Sequence, residues 1–185
     1  MKQCNVERIT VAGFGGQGVM VIGQMIAYLA NEAGYNTLWY PSYGPETRGG
    51  TANCSVTVSK PQINSPVFSH ADTVIAMNGP SLDKFLPTVK DGGYVIYNSS
   101  LIEKDVKANN ATVIGIPVND IAAKLGNARV ANTVMLGAYL ELCGFFSDEV
   151  IEKIIQKFFA KKAALIPLNI EAIKEGRKIM REKLL

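Results

Sequence analysis

The sequence is poor in the residues that bind metals and perform covalent catalysis. Its 185 residues include one histidine, His70, and three cysteines, Cys4, Cys54 and Cys143. The cysteines are odd in number and far apart, so they indicate neither a disulfide framework nor a CxxC metal site. An iron–sulfur cluster needs about four thiolates at local spacing, which this chain does not contain. We therefore expect no metal ligand here, and no catalytic residue of the nucleophile–base type.

The chain also lacks a long apolar run and a strong excess of either charge. No segment is apolar over the roughly 18 residues that a membrane-spanning helix needs, and the N-terminal MKQCNVERIT lacks the apolar core of a signal peptide. The net charge is only +3, and the basic residues are scattered, which argues against nucleic-acid binding. Hydrophobic residues make up 48% and charged residues 19%, which is typical of a globular protein. We expect a cytoplasmic protein that binds neither membrane nor nucleic acid.

Glycine, in contrast, is frequent and is clustered after the first predicted strand. Arg8–Ala12 is rich in β-branched residues and predicts that strand. The glycine-rich stretch Gly13–Gly18 follows, and Val19–Ala33 has the apolar spacing of a helix that ends near Gly34. Asn36–Tyr40 predicts a second strand. This order of elements is the opening of a doubly wound α/β sheet.

Strands and helices continue to alternate along the rest of the chain. The alternating pattern of Cys54–Val58 predicts a strand. Continuous apolar runs predict strands that are buried on both faces, at Thr73–Met77, Tyr94–Tyr97 and Thr112–Ile116. Helices are predicted at Pro80–Leu86, Asn119–Leu125, Arg129–Leu142, Ser147–Phe159 and Asn169–Lys183, with Ser147 as an N-cap and a turn at Asp91–Gly93. No linker interrupts residues 1–185. The prediction is one Rossmann-like α/β domain with a mostly parallel sheet and helices on both faces.

The motif Gly13-x-Gly15-x-x-Gly18 follows a strand and opens a helix, which is the context of a phosphate-binding turn. Glycines let the backbone approach a ligand closely, and the N–H groups at a helix N-terminus favour an anion. Gly16 and Gln17 add flexibility and an amide donor. The alternative is a tight turn that binds nothing.

A nicotinamide dinucleotide would require more than this turn. An acidic residue should follow the second strand, about 20 residues after the turn, to bind the ribose hydroxyls. The predicted strand ends at Tyr40-Pro41, where no acid is present, and Glu46 lies beyond it in a loop. The missing acid argues against a simple dehydrogenase.

Two further polar groups are candidates for a site. The long loop Pro41–Thr51 contains Glu46 and Arg48, and Arg48 is suited to pair with a phosphate or carboxylate in forked geometry; the alternative is that the two residues only pair with each other. Asn132 and Thr133 begin a helix of small residues. They either face a pocket or form bonds within the helix.

Three stretches together resemble the gamma subunit of 2-oxoacid:ferredoxin oxidoreductases. They are Gly13-Phe14-Gly15-Gly16-Gln17-Gly18-Val19, Tyr43-Gly44-Pro45-Glu46-Thr47-Arg48-Gly49-Gly50 and Asn132-Thr133-Val134-Met135-Leu136-Gly137. The resemblance covers essentially the whole chain. The second stretch is most similar to the 2-oxoglutarate or general 2-oxoacid branch of the family.

The resemblance implies a role within a complex that converts a 2-oxoacid and coenzyme A into acyl-CoA, carbon dioxide and reduced ferredoxin. Thiamine diphosphate and iron–sulfur clusters would be held by partner subunits, alpha, beta and, as a further candidate, delta, while the gamma subunit would help bind coenzyme A. Ferredoxin would then be only an indirect partner. Carried onto this sequence, the resemblance implies phosphate contacts at the glycine turn, with a second contact or a subunit interface beyond it. The residues concerned are Gly13, Gly15, Gly16, Gln17 and Gly18 in the turn, and Arg48, Gly49 and Gly50 in the loop.

Two other functions remain open at the level of the sequence. The chain could be a stand-alone nucleotide-binding oxidoreductase, which the missing ribose-binding acid disfavours. It could also be a purely architectural subunit, in which the glycine turn serves packing alone.

Overall fold

The computed structural model describes residues 5–43 and 51–185. Its strands are β1 (Val6–Phe14), β2 (Asn36–Tyr43), β3 (Thr51–Ser59), β4 (Ala71–Ala76), β5 (Val89–Asn98) and β6 (Thr112–Ile116). Its α-helices are α1 (Val19–Glu32), α2 (Gly79–Phe85), α3 (Val118–Lys124), α4 (Ala131–Cys143), α5 (Asp148–Phe158) and α6 (Ile166–Leu184). Short 3₁₀ turns, among them Ala128–Val130, join some of these elements.

The strands form one sheet in the order β2-β3-β1-β4-β5-β6. The neighbours β1, β4, β5 and β6 are parallel. β3 runs antiparallel to both β1 and β2, so β2 has the same direction as β1. The predicted mostly parallel α/β sheet is therefore confirmed. The insertion of an antiparallel strand between β1 and β2 did not follow from the sequence pattern.

Side chains alternate along each strand between two unequal apolar layers. Ile75 of β4 and Ile96 of β5 lie in the larger layer, which α1, α3, α4, α5 and α6 complete. Val74 and Val95 lie in the smaller layer, where α2 contributes Leu82. Helices thus cover both faces of the sheet, as predicted. No described helix is long and apolar enough to cross a membrane.

The element boundaries differ from the predictions in a few places. Ser147 caps α5 as predicted, because its Oγ accepts a hydrogen bond from the backbone N–H of Val150. The predicted turn at Asp91–Gly93 lies inside β5 instead. Gly92 has a φ of 73° there, and the pairing of β5 with β4 shifts in register at this end. An irregularity within the strand replaces the turn.

Helices α4 and α6 pack so closely that glycine is required between them. A Cβ built on Gly176 would lie 2.0 Å from the carbonyl oxygen of Val134, and one built on Gly137 would lie 2.3 Å from that of Ile173. A buried hydrogen bond joins the same pair of helices, from Thr133 Oγ1 to the Asn169 side-chain oxygen at 2.7 Å. This contact holds the first turn of α4 in place.

An ion-pair cluster around Glu141 joins the C-terminal end of α4 to α6. Arg177 Nε and Arg181 Nε lie 2.9 and 2.8 Å from the two oxygens of Glu141, and Arg177 also pairs with Asp148. The hydrogen bond from Arg181, followed by that from Arg177, holds the pKa of the Glu141 carboxyl below its ordinary value, against the opposing effect of burial. The Glu141 side chain is only 16% exposed, so its charge is partly shielded from solvent.

We expect Glu141→Gln to lower the free energy of unfolding by about 1 kcal/mol at neutral pH. A carboxyl whose pKa is lower in the folded state stabilises the fold above its unfolded-state pKa, and this contribution disappears as the pH falls through the folded-state value. The difference between wild type and variant should therefore be full above about pH 5 and vanish in acid. Urea unfolding across this pH range measures it. The exposed Glu171, replaced in the same way, is the control; a pH-independent difference for Glu141→Gln would contradict the ion-pair explanation.

Candidate functional site

A cleft of about 400 Å³ opens at the edge of the sheet where the parallel strands end. The chain leaves β1 through α1 toward the larger apolar layer and leaves β4 through α2 toward the smaller one. The cleft therefore lies between adjacent strands whose helices diverge to opposite faces. Such a switch point is where open α/β sheets bind their ligands.

The glycine turn forms one wall of the cleft. Gly16 and Gly18 have φ values of 100° and 75°, a left-handed region that favours glycine. The Gln17 N–H donates to the Phe14 carbonyl at 3.1 Å, and the first bond of α1 runs from the Ile22 N–H to the Gly18 carbonyl. The N–H groups of the first helical turn have no partner within the helix. They give this wall a partial positive charge.

The glycines of the motif are required for different reasons. A Cβ on Gly13 would lie 2.7 Å from Val19 Cγ1, and one on Gly18 would lie 2.5 Å from Asn132 Nδ2. A Cβ on Gly16 would have no atom within 4 Å, and the residue is exposed. Packing therefore accounts for Gly13 and Gly18, while Gly16 has open space above it for a ligand.

The Gln17 side chain is engaged with the protein rather than directed freely outward. Its Oε1 accepts from the Phe14 N–H and from Asn78 Nδ2, each at 2.8 Å. Its Nε2 donates to the Met77 carbonyl at 3.2 Å. The glycine turn after β1 is thus bonded to the residues that follow β4.

The opposite wall consists of Asn119, Arg129 and Asn132, together with Ala128 before α4 and Ala131 at its start. Within residues 5–43 and 51–185, no acidic side chain lines the cleft. Arg129 is exposed, and no salt bridge of its side chain occurs within residues 5–43 and 51–185. Amide donors, one guanidinium and a helix N-terminus therefore surround the space, and this combination suits a phosphate.

Sequence reasoning missed a row of amide side chains along this edge. Gln17 follows β1, Asn78 follows β4, Asn98 ends β5 and Asn119 follows β6. Asn98 Nδ2 donates to the Met77 carbonyl at 3.3 Å and to Asn119 Oδ1 at 2.8 Å. The signal was present, because each amide comes within three residues of the end of its strand.

The two residues at the start of α4 have separate roles. Asn132 lies in the cleft wall against Gly18, whereas Thr133 is buried and bonded to Asn169. The sequence left a choice between a pocket and internal bonding for the pair. The structure places Asn132 at the pocket and uses Thr133 for packing.

The second predicted motif falls mostly outside the described residues. Glu46, Arg48, Gly49 and Gly50 belong to residues 44–50, which the structure does not describe. The strands on either side are described, and Thr51 pairs with Phe14.

The strand beside the turn also bears on the dinucleotide alternative. A ribose-binding acid belongs at the end of a parallel strand next to β1. Here β3 occupies that place, runs antiparallel and begins with Thr51-Ala52 opposite Phe14 and Gly13. The described edge therefore differs from that of a dinucleotide site.

The described cysteines and the histidine do not contribute to this site. Cys54 and Cys143 are buried, and burial raises the pKa of each thiol to about 12. His70 is exposed and bonds to Ser69 Oγ at 3.0 Å. Among residues 5–43 and 51–185, no group of three or more His, Cys, Asp or Glu side chains is arranged to hold a metal ion.

Comparison with known proteins places the chain near one enzyme family. The family model described as pyruvate ferredoxin/flavodoxin oxidoreductase matches residues 8–179. The ketoisovalerate oxidoreductase subunit VorA of Methanothermobacter thermautotrophicus is 40% identical over 96% of this chain, but the chain spans only 37% of that protein. The 2-oxoglutarate synthase subunit KorC of Methanocaldococcus jannaschii is 31% identical over 95% of both chains.

Two solved structures are similar to nearly the whole of this chain. The gamma subunit of a keto/oxoacid ferredoxin oxidoreductase from Geobacter sulfurreducens has a TM-score of 0.82 at 28% identity, covering 95% of this chain and 99% of that one. A 2-oxoglutarate:ferredoxin oxidoreductase from Magnetococcus marinus, with 2-oxoglutarate, coenzyme A and succinyl-CoA bound, has a TM-score of 0.89 at 25% identity, covering 97% of this chain and 32% of that one. The predicted resemblance to gamma subunits is confirmed.

We expect Gly18→Ala to destabilise the fold more than Gly16→Ala. Both substitutions force a left-handed backbone on an L-residue, which costs about 1 kcal/mol, but only the Gly18 methyl group would also displace Asn132. Urea unfolding measures both costs. Gly79→Ala is the control, since a Cβ there meets nothing within 4 Å. Equal costs at Gly16 and Gly18 would mean that Asn132 yields freely.

Proposed function

The chain belongs to the pyruvate ferredoxin/flavodoxin oxidoreductase family, and on that premise we propose that it is the gamma subunit of a 2-oxoacid:ferredoxin oxidoreductase. In this proposal the complex decarboxylates a 2-oxoacid oxidatively and transfers the acyl group to coenzyme A. Ferredoxin receives the electrons, and this subunit helps to bind coenzyme A.

The observation that carries the proposal is the cleft at the switch point. Coenzyme A brings a diphosphate and a 3′-phosphate, all anionic. The cleft presents the N-terminus of α1 and the side chains of Arg129 and Asn132, and its described lining includes no carboxylate. A phosphate placed there would neutralise the guanidinium and accept bonds from the N–H groups of the turn.

Each residue of the motif has a proposed role in this cleft. Gly15, Gly16 and Gly18 offer backbone to the diphosphate, and Gly13 provides the close packing beneath it. Gln17, first assigned as a phosphate contact, remains near the ligand but is bonded to Phe14, Met77 and Asn78.

We further propose that Arg48 and the backbone of Gly49 and Gly50 form a second phosphate contact or a subunit interface. The support for this proposal is the described residue that follows the motif. Thr51 pairs with Phe14 at the glycine turn.

The chemistry of the reaction falls to other chains in this proposal. The described residues include two buried cysteines, which suits no iron–sulfur cluster. As the resemblance to the family implies, thiamine diphosphate and the clusters are assigned to the partner subunits, alpha, beta and, as a further candidate, delta. The lengths of the relatives agree with this, since the VorA and Magnetococcus chains are about three times as long as the part that this chain matches.

The substrate is proposed only as a 2-oxoacid. The relatives bear names that refer to ketoisovalerate and to 2-oxoglutarate.

Two alternative functions are less well supported. A stand-alone nucleotide-dependent enzyme would need a parallel strand beside β1 to carry a ribose-binding acid, and the antiparallel β3 lies there instead. An architectural subunit would account for Gly13 and Gly18, but not for the open space above Gly16 or for Arg129, which has no ion pair among the described residues.

Complex membership and substrate can be tested together. We expect the native chain to co-purify with subunits that carry thiamine diphosphate and iron–sulfur clusters, and the complex to reduce ferredoxin with one member of a panel of 2-oxoacids and coenzyme A. The panel should contain ketoisovalerate, 2-oxoglutarate and pyruvate. The purified chain alone should be inactive. Nicotinamide turnover by the isolated chain would overturn the proposal.

The coenzyme A site is tested by titrating the assembled complex. We expect Arg129→Ala and Arg48→Ala to weaken coenzyme A binding roughly tenfold each, the loss of one charge-assisted hydrogen bond. Gly16→Asp should weaken it more, because a carboxylate would face the phosphates. Lys161→Ala, at an exposed position outside the cleft, is the control. Unchanged affinity in all three test variants would support the architectural alternative.

A further inference from the structure

We infer that Gln17 is a positioning residue, which holds the glycine turn and the donors of the cleft in a ligand-ready arrangement through the row of amides. The inference rests on the proposed phosphate site. It assigns Gln17 a different role from a phosphate contact, because all but one of its hydrogen-bonding positions are already engaged.

The hydrogen-bonding capacity of Gln17 is nearly exhausted by the protein. An amide oxygen accepts two hydrogen bonds and an amide nitrogen donates two. Oε1 already accepts from the Phe14 N–H and from Asn78, and Nε2 donates to the Met77 carbonyl. A single N–H remains for any ligand.

Backbone groups fix which way the oxygen and the nitrogen of each amide in the row point. The Phe14 N–H can only donate, so it faces Gln17 Oε1 and turns Nε2 toward the Met77 carbonyl, which can only accept. The Ser81 N–H fixes Asn78 in the same way, at 2.9 Å from Oδ1. The Asn78 amide nitrogen must then point at Gln17.

The same logic continues across β5 to the far wall of the cleft. The Ser100 N–H donates to Asn98 Oδ1 at 3.2 Å, so the Asn98 amide nitrogen faces the Met77 carbonyl and Asn119 Oδ1. Asn119 accepts there with its oxygen. Its Nδ2 remains as a donor on a residue that lines the cleft.

The Met77 carbonyl joins the two halves of the row. It accepts from Gln17 Nε2 on one side and from Asn98 Nδ2 on the other, which fills both of its lone pairs. The glycine turn after β1 and the Asn119 donor after β6 are therefore aligned through one carbonyl group. Removing Gln17 releases the turn and leaves Phe14, Asn78 and Met77 without these bonds.

Two substitutions at Gln17 separate positioning from contact. Gln17→Met keeps the approximate length of the side chain and removes every hydrogen bond. Gln17→Glu keeps the acceptors for Phe14 and Asn78 but places an oxygen against the Met77 carbonyl. The control is Gln24→Met, the same change on α1 at a residue outside the cleft.

The measurements are amide hydrogen exchange at Gly16 and Gly18 by NMR, in the full chain without ligand, and coenzyme A affinity in the assembled complex. We expect both Gln17 variants to exchange roughly tenfold faster and to bind coenzyme A roughly tenfold more weakly, as the loss of one or two net hydrogen bonds implies. Gln24→Met should change neither quantity.

Three results would overturn the inference. Weaker binding with unchanged exchange would make Gln17 a direct contact, faster exchange with unchanged affinity would make the row purely structural, and no change in either would remove its role. If Gln17→Met does not fold, the more conservative Gln17→Glu decides. Failure of the phosphate site itself would appear separately, as an Arg129→Ala complex with wild-type affinity, while the exchange data would still report on the turn.

Discussion

The close approach of the glycine turn to α4 is the constraint on which the functional edge depends. Gly18 leaves no room for a Cβ because Asn132 packs directly against it. Asn132 holds that position because Thr133 anchors the start of α4 to Asn169 on α6, and because glycines let the two helices pack backbone to backbone. The cleft is therefore shaped by contacts that extend to the C-terminal helix. Its geometry belongs to the whole helical layer and not to the motif alone.

Much of the fold was predictable because its signals are local. The β-branched run before Gly13 and the apolar spacing of α1 identified the first unit, and Ser147 identified the start of α5. The position of β3 was not predictable, because its alternating pattern suits either direction and its place between β1 and β2 is decided by long-range pairing. The sequence around Gly92 predicted a turn, because the local pattern does not show how this segment pairs with other strands. A left-handed glycine serves a turn and an irregular strand equally well, and only the pairing with β4 distinguishes them.

Only the part of the candidate site that is contiguous in sequence was predictable. The glycine motif is contiguous, so the sequence indicated it. The amide row is assembled from four separate strand ends, and its members become neighbours only when the parallel strands align. Arg129 was recognised as part of a helix and not as part of a wall, because nothing in its neighbourhood in sequence indicates which element it faces. Noting a polar amide within five residues after each predicted apolar run would have identified all four amides.

The buried thiols have a consequence for the proposed complex, in which an activated acyl group is transferred to coenzyme A. Burial raises the pKa of each thiol to about 12, which keeps it protonated at neutral pH, and the thiolate is the reactive form. Because both side chains are also buried, we expect neither Cys54 nor Cys143 to intercept a thioester. In the proposed complex, the acyl group meets no competing sulfur from the core of this subunit on its way to coenzyme A.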